Sequence, residues 1–124
     1  MDRVFFALGC VLAALGVGLG AFGAHALRGR ISEQALATWE TASRYHLVHA
    51  LGLLVVAWAV SRWPGGLAVL AGWLLLAGIV LFSGSLYLLA ATGFRALGAV
   101  TPVGGVAFIA AWILLALQVV RSSG

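Results

Sequence analysis

From Val4 to Ala24 the chain has no charged side chain. Its 21 residues, at a helical rise of about 1.5 Å each, reach about 31 Å, close to the hydrocarbon thickness of a bilayer. Two further uncharged runs follow, Leu67 to Ala91 and Pro102 to Val120, of 25 and 19 residues. Each is long enough to cross a membrane with some tilt. The remaining apolar stretch, Leu47 to Val60, is shorter and has to be completed at its ends, from Arg44 to Trp63. Such a chain has lipid as its solvent, and composition agrees: 64% of residues are hydrophobic and 8% charged. A water-soluble globule and a disordered tail are both excluded. The single Cys10 cannot form a bridge within one chain. The formal charge of +4 comes from scattered arginines, so no cationic face suited to nucleic acid forms.

The punctuation divides the chain into four spans, approximately 4–24, 44–63, 67–91 and 102–120, within one transmembrane domain. Thr101-Pro102 predicts an N-cap and a first helical residue, and Trp63-Pro64-Gly65-Gly66 an interfacial aromatic followed by a turn. Between spans one and two lies the longest polar segment, in which Ser32 can cap an amphipathic helix that lies at the membrane surface or continues into span two. Glu40 and Arg44, four residues apart, can pair on it. Met1-Asp2-Arg3 ahead of an apolar run resembles a secretory leader, but the run exceeds the usual length of about 7 to 15 residues and is read as a span. Gly18-x-Gly20-x-x-Gly23 mimics a dinucleotide fingerprint without the strand that motif needs. Gly16, Gly20 and Ala24 instead repeat every four residues, the small-residue spacing that lets helices approach closely in lipid, within one molecule or in a homo-oligomer. Arginines divide almost evenly between the two sides, leaning toward a cytoplasmic long loop with both termini outside.

An up-and-down path brings most polar residues of the spans to one side. Span one contributes His25; span two Arg44, Tyr45, His46 and His49; span three Ser83, Ser85 and Tyr87; span four Thr101. Polar groups at such depth are costly, so with Glu40 they form the candidate ligand or proton site. His46 and His49 share a helix face and could, with His25, hold a metal; structural or interfacial histidines are the stronger reading, because no Cys or carboxylate joins them at a defined spacing. Proton handling would pair an imidazole with Tyr87 or Glu40. Ser83 and Ser85 lie on different faces and suit hydrogen bonds between helices; a catalytic pair of one of them with His49 would lack both an elbow motif and an identifiable acid to orient the base. Trp39, Trp63 and Phe94 read as interfacial anchors.

Four ordered stretches then point to a family: Phe22-Gly23-Ala24-His25-Ala26-Leu27; Trp39 through Arg44-Tyr45-His46 to His49-Ala50-Leu51; Leu81-Phe82-Ser83-Gly84-Ser85-Leu86-Tyr87; and Thr101-Pro102-Val103-Gly104-Gly105. Together they resemble the transmembrane protein 256 family, also known as domain of unknown function 423, over essentially the whole chain. His46 is an apparent departure, where another polar residue is expected. The resemblance implies a small multi-pass protein, in bacteria of the cytoplasmic membrane, and supplies no activity or cofactor.

The expectation is an all-α integral membrane four-helix bundle with an amphipathic surface helix between spans one and two. Its partners are the lipid bilayer, a lipid or small-molecule ligand, and a second copy of itself, with no nucleic acid, metal or cofactor assigned. The function expected is non-enzymatic: a binding or scaffold protein with a one-sided polar vestibule. The alternatives are a proton-coupled transporter or permease component and a histidine-ligated metal or haem protein.

Overall fold

The computed structural model describes residues 1–122. Five α-helices follow one another: α1 (Asp2–Phe22), α2 (Glu33–Arg62), α3 (Gly66–Gly78), α4 (Gly84–Thr92) and α5 (Thr101–Ser122). A π-helical turn, Gly23–Leu27, extends α1. A second, Ile79–Ser83, joins α3 to α4, and the three pieces form one continuous third span. A 3₁₀ turn, Arg95–Ala99, leads into α5. Among the described residues the membrane-capable helices are therefore four, Asp2–Leu27, Glu33–Arg62, Gly66–Thr92 and Arg95–Ser122, and each overruns its uncharged core at both ends. The described residues contain no strand beyond an isolated Arg28–Ile31 bridge.

The amphipathic segment after span one is the opening of α2, not a separate surface helix. The Ser32 hydroxyl accepts a 3.0 Å hydrogen bond from the Ala35 N–H, capping a helix that then runs unbroken for 30 residues. The reversal is made earlier, at Gly29, whose φ of +83° few side chains tolerate. Gly93, at φ +72°, ends α4 in the same way. Thr101 does not cap α5. The Val100 carbonyl accepts from Val103 and Gly104, while the Thr101 hydroxyl is turned toward Leu97 and Ser85.

The second and third spans form the centre, and each carries one outer helix: α1 packs along α2, and α5 along the third span. Nearer the start of α1 the interior is hydrocarbon, built from Phe5, Leu53, Val56, Ala68, Ala71, Leu75 and Ala111. The Phe5 ring lies in the notch left by Gly72, where a Cβ would come within 2.6 Å of the ring, and meets Trp73 edge-on. Gly104 lets α5 approach the Phe82 backbone, where a Cβ would sit 2.8 Å from Cα. Gln118 is the buried polar residue of this half. Its amide oxygen accepts from the Ala68 N–H at the start of α3, and its amide nitrogen donates to Ser122 Oγ and the Pro64 carbonyl.

Candidate functional site

The other half of the bundle contains Ser43, His46, His49, Ser83 and Ser85, all buried, and the half-buried Tyr87 and Thr101. His46 reaches across two helix interfaces. Its Nε2 lies 2.8 Å from the Leu12 carbonyl of α1, and its Nδ1 lies 2.9 Å from the Tyr87 hydroxyl of α4. A carbonyl can only accept, so Nε2 carries the proton; the neutral ring then accepts at Nδ1, and Tyr87 donates. The result is a one-way series from Tyr87 through His46 to the Leu12 carbonyl, joining α4, α2 and α1.

The serines of span three serve different neighbours. Ser83 Oγ donates to the Ala42 carbonyl of α2 at 2.8 Å, while Ser85 Oγ lies 2.6 Å from Thr101 Oγ1 of α5 and 2.9 Å from the Phe82 carbonyl. His49 is held apart from His46. Its Nδ1 donates to the Tyr45 carbonyl one turn earlier at 2.7 Å, and its ring stacks on Phe108 of α5 at 3.6 Å. His25 is exposed on the π turn after α1. The three histidines therefore face different neighbours. Among the described residues no group of three or more His, Cys, Asp or Glu is placed to hold a metal ion.

The polar side chains nearer the surface divide differently from their spacing in the chain. Glu40 lies 3.8 Å from Arg28, across the turn, in place of the helical partner Arg44. Both members of the pair are more than half exposed, so it contributes little. Arg44 is exposed. Of the three aromatic anchors, Phe94 is exposed and Trp63 stands edge-on to Trp58, but Trp39 is buried. Its indole N–H donates to the Leu19 carbonyl at 2.8 Å, its ring lies 4.6 Å from that of Tyr87, and Gly23 leaves the space it fills. Trp39 thus belongs to the polar cluster, which sequence reasoning missed; its position on the Leu36, Ser43 and His46 side of α2 was the available signal. Gln118 was missed as well, although it is the sole side-chain amide of span four.

The small residues of α1 face α2. A Cβ on Gly16 would meet Leu47 and His46, and one on Gly20 would meet Ser43 Oγ at 2.9 Å. Gly9 continues that surface against Leu54 and the Ala50 carbonyl, and Gly23 carries it on beneath Trp39, whereas Ala24 is exposed. Between α1 and the third span the helices separate. They leave a crevice of about 260 Å³ with Leu12, Leu15 and Leu19 on one wall, Ile79, Val80 and Gly84 on the other, and His46 and Tyr87 between. The π turn of the third span forms part of that wall, a local irregularity often found where a helix has more to do than span.

A family profile described as "Protein of unknown function (DUF423)" matches residues 19–105, which include the histidines, serines and tyrosine of the polar half. The chain is 53% identical to the UPF0382 membrane protein YwdK of Bacillus subtilis (strain 168), over 96% of this chain and 98% of that protein. It is 47% identical to a UPF0382 membrane protein of Staphylococcus epidermidis, over 98% of this chain and 99% of the relative. No solved structure matches. With four membrane-capable helices and relatives of this identity over nearly their whole length, the chain is a membrane protein and belongs to the DUF423, or UPF0382, family.

Proposed function

We propose that this protein is a non-enzymatic binding protein of the cell membrane, whose polar half ties three helices together beside a lateral crevice for the hydrocarbon chain of a lipid or a similarly apolar ligand. The crevice between α1 and the third span carries the reading. Its walls are aliphatic, its polar floor is already hydrogen-bonded, and the Leu15 and Val80 side chains at its edges are more than half exposed, as lipid-facing residues are. An occupant there gains van der Waals contact and needs no charge. Catalysis finds little support: the Ser83 and Ser85 hydroxyls bond to carbonyls and to Thr101, and neither is held by an imidazole. Transport would need the polar groups to continue through the other half, where Phe5, Leu53 and Leu75 fill the interior.

Gly84→Leu tests the reading. A Cβ at this position would meet only the Ile79 carbonyl, at 4.0 Å, so a larger side chain can enter the crevice without displacing its neighbours. Native mass spectrometry of gently extracted protein is expected to show a retained apolar adduct in the wild type and its loss in the variant, with thermal stability unchanged. Equal adducts in both proteins would remove the crevice as a binding site.

A further inference from the structure

His49 keeps one ring nitrogen unused. Its Nδ1 donates to the Tyr45 carbonyl, so the uncharged imidazole presents Nε2 as a bare lone pair. No donor among the described residues bonds that atom, and none of their fully buried side-chain nitrogens and oxygens lacks a partner. Nε2 therefore retains accessible surface, although the residue as a whole is only 5% exposed. Aromatic rings surround it. Phe108 of α5 covers one face of the imidazole at 3.6 Å, and the Tyr45 and Trp112 rings stand 6.1 and 5.9 Å away, each more than a third exposed. Tyr45 lies one turn before His49 on α2. Trp112 lies over Gly52, almost one turn after it, where a Cβ would sit 3.1 Å from the indole.

We propose that this aromatic notch binds the reduced headgroup of an isoprenoid quinone, a hydroquinone whose phenolic hydroxyl donates to His49 Nε2. Depth narrows the choice of ligand. Five residues separate His49 from the exposed Arg44, a rise of about 7.5 Å, so the lone pair lies below the headgroup level and within hydrocarbon. Phosphate and glycerol headgroups are strongly hydrated and stay above it. A phenol on an isoprenoid chain carries few polar atoms into lipid and brings a flat ring to Tyr45 and Trp112. The tautomer then decides the redox form. A hydroquinone has an O–H to give, whereas the oxidised quinone has carbonyl lone pairs alone and meets the nitrogen acceptor to acceptor. The Tyr45 hydroxyl and the Trp112 N–H can serve either form, so the discrimination rests on Nε2. The notch is separate from the lateral crevice and shares no residue with it.

The test is anaerobic titration of the delipidated full chain in micelles with decylubiquinol, decylubiquinone and dodecanol, the nitrogen-labelled histidines being followed by NMR. Decylubiquinol is expected to bind about tenfold more tightly than either of the others, the ratio for one net hydrogen bond, and to move the His49 Nε2 resonance, which decylubiquinone leaves in place. His49→Phe, which keeps a ring against Phe108, is expected to bring the quinol down to the level of the quinone. The wild-type resonance reports the bond directly and decides the matter even where that variant does not fold. Gly84→Leu, in the lateral crevice, is expected to leave the preference intact, so that either site can fail without the other. Equal affinity for the two redox forms, dodecanol binding as tightly as the quinol, a preference that survives His49→Phe, or an unmoved Nε2 resonance would overturn the assignment.

Discussion

At Phe5 the bundle is joined by a ring set over Gly72, with Leu53, Val56 and Leu75 in the same cluster and no polar atom among them. At His46 it is joined by an imidazole held between a carbonyl of α1 and a hydroxyl of α4, with Trp39 bonded to a second α1 carbonyl two turns beyond. Lipid is as apolar as the first contact, so what holds Phe5 is close packing alone, which depends on a ring and a notch of matching shape. The second contact depends on direction. Each polar atom needs a partner at about 3 Å, which fixes rotation and register but tolerates a gap beside it. The crevice between α1 and the third span lies beside the hydrogen-bonded half for that reason: polar ties can hold helices that do not interlock.

Removing the ring should show the larger effect. Phe5→Ala is expected to cost about 3–5 kcal/mol, because α1 has few other large side chains turned inward, and reversible unfolding in mixed micelles measures it. A loss below about 1 kcal/mol would mean that packing is not what holds this half. In the polar half the expected quantity is a coupling. A double-mutant cycle of Tyr87→Phe and His46→Ala should give about 0.6–1.7 kcal/mol, as hydrogen bonds between membrane helices do. Additive losses would mean that the two residues act separately. The smallest effect is expected at the surface, where Glu40→Gln breaks the exposed pair with Arg28 and should shift stability by less than about 0.5 kcal/mol, a difference that vanishes at high salt.

The span count and the one-sided gathering of polar residues were legible in the sequence, since uncharged runs of membrane length and a short polar segment leave few paths. Ser32 was legible as a cap because capping is local. The π turns at Gly23–Leu27 and Ile79–Ser83 were not, because a local pattern does not show where neighbouring helices will add a residue to a turn. Helix rotation decided the rest. Regular spacing puts Ala24 in line with Gly16 and Gly20, but the packed surface runs from Gly9 through Gly16 and Gly20 to Gly23 and leaves Ala24 exposed. The same spacing offers Arg44 to Glu40, yet a turn at Gly29 brings Arg28 closer. Trp39 looks amphipathic in sequence and is buried only because Gly23 leaves a place for its ring.

The series that runs from Tyr87 through His46 ends on the amide oxygen of Leu12. An amide carbonyl is a very weak base with no proton of its own to pass on. Charge can polarise such a row of hydroxyl and imidazole groups. Mechanically the polar half is therefore a strut, whose aligned dipoles stiffen the join between three helices in a medium of low dielectric constant.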